Sequence, residues 1–364
     1  MKLLLWGTAD RGKPRVRLLL AALEQNPIEV QDIHRDVWGG LRDKSRMSFG
    51  RAVWQVFIWF SAYPVLLWRF LRAPKPDVVL LSYPAQLDAL ILWPFARLRG
   101  VPIVMDIFIS LYDTVVLDRK MVRRGGLAAR LLWAFEWLSF RAADRLFIDT
   151  PPHAQHIERL FRLPNGQIGA VPVGAEEQFQ PSSKNHEHTR PLVLFYGQMI
   201  PLHGVSVVLD AALSEAGQAW DWVLVGEGQE TSKLEDALKN NPPHITWHRW
   251  IDYTELTALI AKADICLGIF GTSEKAASVV PNKVYQCLAA GRHVITRRSP
   301  AMEDLLQGND DPGVTLVIED APESLTSGIA RALETGARAP SQALRDRFST
   351  KAIALALTQQ FPKP

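Results

Sequence analysis

Short apolar runs and stretches of helical periodicity alternate along the first half of the chain. A helix is predicted from Pro14 to about Gln25, because proline suits the first helical turn, where its missing N–H would be unpaired anyway. Strands that alternate with helices predict a parallel sheet covered on both faces. The predicted strands are Lys2–Gly7, Ile28–His34, Asp77–Tyr83, Val101–Ile107 and Asp144–Asp149.

The second half repeats this alternation after a polar segment that lies between two prolines. Residues 182–190 (SSKNHEHTR) are predicted to link two domains, 1–181 and 191–340. We expect an α/β architecture of two doubly wound Rossmann-like domains that face a central cleft. An amphipathic last helix within 341–361 is expected to pack back on the first domain. The predicted strands of the second domain are Pro191–Gly197, Trp220–Gly226, Ile245–Trp250, Asp264–Phe270, His293–Thr296 and Val314–Ile318, and its predicted helices are Gly204–Leu213, Thr231–Lys239, Tyr253–Lys262 and Lys283–Ala290.

Composition agrees with two folded domains in a reducing compartment. The 364 residues are too many for one ordinary core, and 48% of them are hydrophobic. Two cysteines, Cys266 and Cys287, cannot form a disulfide framework. The N-terminal apolar run is too short for a signal peptide, so we expect a cytoplasmic protein.

Charge is distributed unevenly between the two halves. Residues 1–182 hold 24 Lys and Arg against 17 Asp and Glu, a net charge of +7, together with eight of the twelve Trp. Residues 183–364 hold 17 against 21, a net charge of −4. A basic, Trp-rich half suggests contact with nucleic acid or with an anionic membrane. The sequence has no zinc-finger spacing, RNA-binding aromatic motif or lysine-rich tail, so the membrane is favoured and no nucleic acid partner is expected.

One aromatic, apolar stretch of the first half, residues 49–72, has three interpretations. It is a core helix, a helix that lies in the interface of an anionic membrane, or a helix that crosses the bilayer. The 17 residues between Arg51 and Arg69 contain Gln55 and Pro64 and barely reach the thickness of a bilayer. Tryptophan and arginine suit the interfacial position, which would bring a peripheral enzyme to a membrane-borne substrate.

Four loops of the second half follow predicted strands, the position at which doubly wound sheets bind ligands. They are GQMIPLHG (197–204), GEG (226–228), Ile251-Asp252 and GTSEKAASVVPN (271–282). The GEG loop alone indicates only a tight turn. A loop histidine such as His203 is more often structural than catalytic.

The helix after the last of these loops is the most informative element. Asn282 is a favourable N-cap, and the free N–H groups that follow it favour a phosphate. Lys275 and Lys283 add full charges there, which a diphosphate leaving group needs, particularly without a metal. Glu274 and Gln286 offer acceptors for sugar or ribose hydroxyls. The alternative is an ordinary capped helix with a solvated lysine.

The loop Thr8–Lys13 after the first strand resembles a phosphate-binding loop. It lacks GxGxxG and GxxxxGK[ST], which excludes a nicotinamide site or a P-loop on motif grounds. Further along, Asp106 ends a predicted strand, where a carboxylate serves a functional role or caps a helix.

Taken together, these segments resemble the retaining family 4 glycosyltransferases, which have the GT-B fold. The likeness covers almost the whole chain and is strongest in six segments. Each segment alone is unspecific, but their combination is specific. The segments are FYGQMIPLHGVSVVLDAA (195–212), WVLVGEGQE (222–230), DICLGIFGTSEKAASVVPNKVYQCLAAGRHVIT (264–296), DIFISLYDTVVLDR (106–119), DRLFIDTPPHA (144–154) and VPVGAEEQF (171–179).

The chain departs from the family pattern at charged positions. The family commonly has Arg and Lys in the phosphate loop, where this chain has Gln198 and His203. The family's Glu-x7-Glu pair corresponds here to Ser278 and Gln286. Charge for the phosphates would then come from His203 and the two lysines near the helix start.

The resemblance implies a donor nucleotide bound to the second domain. Ile251 would flank the base, Gln286 would hold the ribose and Glu274 would contact the sugar. The catalytic residues implied are Asp106, Glu274 and Lys283. The donor-binding residues implied are Gly12, Gln198, His203, Gly226, Glu227, Gly228, Ile251, Lys275, Asn282, Val284 and Gln286.

The resemblance implies an acceptor bound to the first domain, near Gly12 and Asp106. Ser110 and Tyr112 are expected to bind the acceptor, and Asp106, near where many relatives carry a catalytic-site histidine, is expected to position it. In a retaining enzyme of this fold the departing phosphate accepts the acceptor proton, so that the protein orients groups and stabilises charge. No metal or other cofactor is expected.

We therefore expect a glycosyltransferase that moves a sugar from a nucleotide-diphosphate donor to a saccharide or lipid-linked acceptor, in cell-surface polysaccharide or glycolipid synthesis. A nucleotide-sugar epimerase of the same architecture is one alternative, although only Glu274 is placed to act as its acid or base. A non-catalytic partner that binds sugar nucleotides is another, which the replaced charged residues favour.

Overall fold

The structure is a computed structural model that describes residues 1–39, 49–181, 189–318 and 320–362, without the side chains of 49 and 51–53. Of the predicted linker 182–190, residues 182–188 lie outside the described residues.

Two units divide the chain, and its C-terminal segment belongs to the first. Met1–Val173 and Thr350–Pro364 form unit 1, and Gly174–Ser349 forms unit 2. Residues 174–181, which the sequence analysis assigns to the first domain, therefore belong to unit 2.

Unit 1 contains a six-stranded parallel sheet with the strand order β2-β1-β3-β4-β5-β6. Its strands are β1 (Lys2–Gly7), β2 (Glu29–His34), β3 (Val78–Leu81), β4 (Ile103–Asp106), β5 (Arg145–Ile148) and β6 (Ile168–Ala170). Its helices are α1 (Pro14–Glu24), α2 (Phe49–Arg72), α3 (Gln86–Arg99), α4 (Leu127–Ala142), α5 (Pro151–Phe161) and, from the C-terminal segment, α14 (Thr350–Thr358).

The side chains of β1 show why this sheet is covered on both faces. Successive residues of a strand point to opposite faces. Leu3 and Leu5 belong to one hydrophobic cluster with residues of α1 and α14, whereas Leu4 and Trp6 belong to another with residues of α2, α3, α4 and α5. Helix α14 lies against α1 and completes the first of these layers.

Unit 2 contains a second six-stranded parallel sheet with the strand order β12-β11-β10-β7-β8-β9. Its strands are β7 (Leu192–Tyr196), β8 (Asp221–Val225), β9 (Ile245–His248), β10 (Ile265–Leu267), β11 (His293–Arg297) and β12 (Val314–Val317). Its helices are α6 (Val205–Leu213), α7 (Thr231–Ala237), α8 (Tyr253–Lys262), α9 (Glu274–Ser278), α10 (Asn282–Ala289), α11 (Pro300–Leu306), α12 (Pro322–Glu334) and α13 (Gln342–Asp346).

The structure corrects three predicted elements. The predicted loop 271–282 contains α9, which Ser273 caps by accepting a hydrogen bond from the backbone N–H of Ala276 at 3.1 Å. Asn282 is not an N-cap, because α10 begins at Asn282 itself and Pro281 occupies the cap position. The helix predicted within 341–361 is divided into α13 and α14.

Helix α2 is two-faced. Ala62, Leu66 and Phe70 are buried in the core of unit 1, whereas Trp54 and Phe57 are exposed. The buried face agrees with the core interpretation, and the interfacial interpretation stays a prediction for the exposed face. In the part of the chain that the structure describes, none of the helices has the length and apolar character that crossing a bilayer requires.

Candidate active site

The loops after β7 and β8 pack closely against each other at the carboxyl ends of these strands. Gly197 and Gly226 have φ angles of 132° and 126°, and a Cβ on Gly226 would collide with the carbonyl oxygen of Gly197. The backbone N–H of Met199 donates to the oxygen of Glu227 at 3.2 Å, and the N–H of Glu230 donates to the oxygen of Met199 at 2.8 Å. The two glycines therefore let these loops approach each other closely, and both glycines are half-buried.

Lys283, in the first turn of α10, is buried without a matching charge. Its Nζ lies 4.0 Å from the centroid of the Phe195 ring and has no hydrogen-bond partner among the described residues. Burial lowers the pKa of Lys283 to about 7. A buried ammonium that lacks hydrogen bonds costs folding free energy, so this position is explained best by a ligand that supplies the missing partner.

His203 lies next to this lysine because Gly197 has no side chain. A Cβ on Gly197 would collide with Cε1 of His203 and come within 3.7 Å of Cε of Lys283. The His203 ring stands edge-on to Phe195, with 6.2 Å between ring centroids. The structure thus brings together Lys283, His203 and the loop after β7, and this combination suits an anion.

Gln286, one turn further along α10, is held by two tyrosines. The hydroxyl of Tyr196 donates to Oε1 of Gln286 at 2.8 Å, and Nε2 of Gln286 donates to the hydroxyl of Tyr253 at 2.9 Å. Tyr253 in turn donates to the carboxylate of Glu176. The sequence analysis missed both tyrosines, although Tyr196 directly precedes the loop 197–204.

The catalytic candidate Glu274 and four donor-binding candidates of unit 2 are accessible to different degrees. Gln198 and Glu274 are exposed, whereas Ile251, Lys275 and Asn282 are half-buried. These five side chains are therefore open to a ligand.

The remaining donor-binding candidates of unit 2 make contacts within the protein. Val284 is a core residue whose N–H donates to the oxygen of Pro281 at 2.9 Å. Gly228 donates its N–H to Thr231 Oγ1 at 2.7 Å. Glu227 pairs with Arg249 at 3.8 Å. Val284 and Gly228 therefore shape the site and leave no side chain to contact a ligand.

In unit 1, the loop after β1 is tied to a buried carboxylate. Asp88 accepts hydrogen bonds from the N–H of Thr8 at 2.7 Å, from its hydroxyl at 2.9 Å and from the hydroxyl of Tyr63 at 2.7 Å. Burial raises the pKa of Asp88 to about 6. Gly12, the one donor-binding candidate in unit 1, is exposed further along this loop and donates its N–H to Asp10 at 3.1 Å. A carboxylate beneath the loop is unfavourable for a phosphate.

Asp106 at the end of β4 forms a buried ion pair that the sequence analysis missed. Arg15 donates to both carboxylate oxygens, at 3.0 and 3.1 Å, and also to the carbonyl oxygens of Val171 and Pro172 at 2.7 and 3.0 Å. Burial raises the pKa of Asp106, and the Arg15 guanidinium opposes that change. This geometry suits a residue that positions the backbone around the site. The signal for it was a charged side chain within the apolar stripe of α1.

Ser110 and Tyr112 are held by a second buried carboxylate. Glu136, the one acidic residue of α4, accepts the Ser110 hydroxyl at 2.7 Å and the N–H groups of Leu111 and Tyr112 at 2.8 Å each. Nε2 of Gln86 donates to it at 3.1 Å. The hydroxyl of Ser110 is therefore engaged in a hydrogen bond to Glu136, whereas the ring of Tyr112 is half-buried.

Two Asp–His pairs lie at the start of α5. Asp149 Oδ1 and His153 Nδ1 are 2.5 Å apart, and Asp113 Oδ1 and His156 Nε2 are 3.0 Å apart. The two imidazole rings stack with their centroids 6.4 Å apart. Asp113 also begins a π-helix, Asp113–Asp118, an irregularity that is frequent at functional sites. The sequence analysis missed these pairs, although both histidines follow Asp149 within the segment DTPPHAQH.

Two family models match the sequence. Residues 9–174 match the glycosyl transferase 4-like domain, and residues 190–335 match the glycosyl transferases group 1. A search of curated proteins finds no match.

Solved structures share the fold over nearly the whole chain. Sucrose-phosphate synthase from Thermosynechococcus elongatus is similar with a TM-score of 0.73 at 16% identity, covering 99% of this chain and 98% of that one. The catalytic domain of starch synthase IV from Arabidopsis thaliana, bound to ADP and acarbose, has a TM-score of 0.68 at 12% identity, covering 99% and 98%. Anabaena HepE, in complex with UDP and glucose, has a TM-score of 0.65 at 13% identity, covering 98% of both chains.

These findings identify the class of the protein. The two parallel six-stranded sheets with their helices form the GT-B fold, as the sequence analysis predicts. The two family models together cover most of the chain, which is a glycosyltransferase of group 1. The prediction of a glycosyltransferase is therefore confirmed.

Proposed function

We propose that this enzyme transfers a sugar from a nucleotide-diphosphate donor bound to unit 2. The observation that carries the proposal is the buried, unpartnered ammonium of Lys283 beside the loop after β7. Anabaena HepE binds UDP and starch synthase IV binds ADP, which supports a nucleoside diphosphate as the ligand. A diphosphate offers the anionic oxygens that Lys283 lacks.

The diphosphate becomes the leaving group, and its growing charge is what the site must stabilise. Lys283 and His203 do this from the buried side, while Lys275 and the start of α10 at Asn282 add positive charge from the accessible side. Gln198 contributes hydrogen bonds where the family commonly has a cation. We propose that these groups act without a metal.

The nucleoside and the sugar bind to the accessible residues around this centre. Ile251 flanks the base, and Glu274 contacts sugar hydroxyls. Gln286 and Tyr253 face the ribose as a linked pair, so that ribose binding exchanges the hydrogen bond between them for bonds to hydroxyl groups.

The acceptor binds to unit 1, where Tyr112 and the segment from Asp106 to Ser110 receive it. Asp106 acts through Arg15 as a positioning residue, since its carboxylate is fully buried. The reaction follows the family 4 course with retention of configuration, in which the departing phosphate accepts the proton of the acceptor hydroxyl. The acceptor hydroxyl then needs no protein base.

We propose a saccharide or lipid-linked acceptor and a place in cell-surface polysaccharide or glycolipid synthesis. The support is the exposed apolar face of α2 on the acceptor-binding unit. A cytoplasmic enzyme held at the inner face of an anionic membrane through residues 49–72 would meet such acceptors where they are made.

A thermal-shift panel with UDP, GDP, ADP, dTDP and CMP, with and without Mg²⁺, tests the proposal. A ligand at a hundred times its Kd stabilises the fold by about 2.7 kcal/mol. We expect one nucleoside diphosphate to raise the melting temperature without Mg²⁺ in the wild type. Lys283→Met should reduce this shift, whereas the control Lys239→Met, which removes an exposed lysine paired with Asp236, should keep it. A panel without any shift would overturn the donor site.

A further inference from the structure

Helices α2, α3 and α4 lie side by side on one face of the unit 1 sheet. Helix α3 contacts both α2 and α4, and all three contribute side chains to the same hydrophobic cluster. Their outer surfaces therefore form one continuous face, here called the three-helix face, which is wider than the predicted segment 49–72.

The three-helix face exposes large apolar side chains from each helix. On the described parts of these helices, twelve of them have exposed fractions between 44% and 84%, against the near-complete burial of core residues. Scattered exposed apolar residues are ordinary on a protein surface, but a cluster of this size with five aromatic rings marks an interaction surface. The twelve include Trp54, Phe57, Trp68, Trp93, Leu98 and Leu131.

The exposed charges that these three helices contribute are all basic, and one of them, Arg97 of α3, pairs with Asp144 at 3.2 Å. Helices α2, α3 and α4 contain two acidic residues, Asp88 and Glu136, and both are fully buried. Arginines alternate with the apolar residues, and two of them cover indole rings. Arg72 lies 4.5 Å from the Trp68 ring centroid, and Arg141 lies 4.0 Å from that of Trp137.

We propose that the three-helix face docks on an anionic lipid bilayer, with the indole and phenyl rings at the headgroup level and the arginines on lipid phosphates. The proposal rests on the membrane attachment in the proposed function and extends it from one helix to three. Tryptophan and arginine are the residues that suit a bilayer interface. A second copy of the chain fits less well, because pairing this face with itself would bring arginines against arginines.

Co-sedimentation with vesicles tests directly whether the three-helix face binds an anionic lipid bilayer. Wild-type protein should bind vesicles of mixed phosphatidylglycerol and phosphatidylcholine, bind phosphatidylcholine alone much more weakly, and be released by salt. Reversing two charges in R69E/R72E should weaken the binding at least about tenfold, since each arginine near an anionic surface contributes about a factor of five. The apolar variant W54S/F57S should weaken it as well.

Leu355→Ser is the matched control, because Leu355 is 64% exposed on α14, outside the three-helix face. Its vesicle binding should equal that of the wild type. Binding to neutral and anionic vesicles alike, or no binding by the wild type at low salt, would overturn the proposal. So would a dimer, detected by light scattering, that W54S/F57S dissociates.

The nucleotide-induced melting shift separates this proposal from the donor site. All three variants lie in unit 1 on exposed side chains, so each should keep the shift of the wild type. If the wild type binds nucleotide but no vesicles, the donor site stands and the docking of the three-helix face is contradicted. If the wild type binds vesicles but no nucleotide, the docking stands and the donor site is contradicted.

Discussion

Lys283 is the residue whose environment is least explained by folding. Its ammonium has an aromatic ring beneath it and a depressed pKa, and no hydrogen-bond partner in the described part of the chain. Proteins rarely bury a charged group without a partner. Groups that are buried in this way cluster at functional sites. A ligand phosphate would offset the free-energy cost of burying the Lys283 ammonium, because it would accept the missing hydrogen bonds.

Donor binding should therefore take up a proton at alkaline pH. The folded-state pKa of Lys283 is about 7 without ligand, and a bound diphosphate raises it, so affinity is greatest below that pH and falls above it. Calorimetric titration of UDP or ADP at a pH of about 8.5, well above this value, should give heats that differ between HEPES and Tris buffers.

The control for proton uptake is Lys283→Arg, which stays charged at that pH. Its titration should give the same heat in both buffers. Equal heats for the wild type would contradict the assignment of the titrating group.

Much of the residue-scale picture was predictable, and the missing part has one cause. Lys283, His203 and Gln286 are identifiable from their places after strands. Arg15, Glu136 and the pair Asp113–His156 are not, because their roles depend on partners many positions away along the chain. The apolar stripe of α1 indicates that Arg15 is buried, but no local pattern identifies Asp106 at the end of β4 as its partner.

At the scale of elements, side chains of α2 and α3 hold the loop after β1 through hydrogen bonds. Asp88 of α3 bonds Thr8, and Trp59 and Tyr63 of α2 reach the same threonine and carboxylate at 2.8 and 2.7 Å. The inner side of the three-helix face thus holds the loop after β1 in unit 1.

Asp88 should make unfolding stability depend on pH. Its folded pKa of about 6 lies above its ordinary value, so its stabilising contribution is complete at low pH and is lost as pH rises through 6. Between pH 4 and 7 the wild type should lose about 2–3 kcal/mol relative to Asp88→Asn, measured by urea unfolding at each pH. Parallel stability curves would contradict this.

Sequence analysis finds most of the long, strongly periodic elements, although it missed the 13-residue helix α12. Eleven of the twelve strands that the structure describes and helices such as α1, α6 and α8 have the predicted type. Strand β6 and helix α9 were missed, since three and five residues carry too little periodicity to be recognised. The error at Asn282 has the same origin, because a helix start is decided by one or two residues.

At the scale of the whole molecule, the C-terminal helix belongs to the N-terminal unit. Leu357 of α14 is buried in the cluster that covers β1, whereas Leu355 on the same helix is exposed. Leu357→Ala should lower the free energy of unfolding by about 2–5 kcal/mol. Leu355→Ala, the same change two residues away, should stay within about 0.5 kcal/mol of the wild type. Equal effects in urea unfolding would argue against this packing.

The fold as a whole was predictable because two repeats of strand and helix leave few arrangements. Parallel sheets need helices on both faces, and right-handed crossovers restrict the strand order. The division between the units was less predictable, since residues 174–181 contain no signal that assigns them to one sheet or the other.

One variant tests the central claim, that Lys283 is kept unpaired in order to bind the donor diphosphate. We would measure urea unfolding and nucleoside diphosphate affinity for the wild type and Lys283→Met, which keeps the shape and removes the charge. The account predicts a variant that is more stable by about 2–4 kcal/mol and binds at least about tenfold more weakly. A variant that binds the nucleotide as tightly as the wild type would contradict the claim.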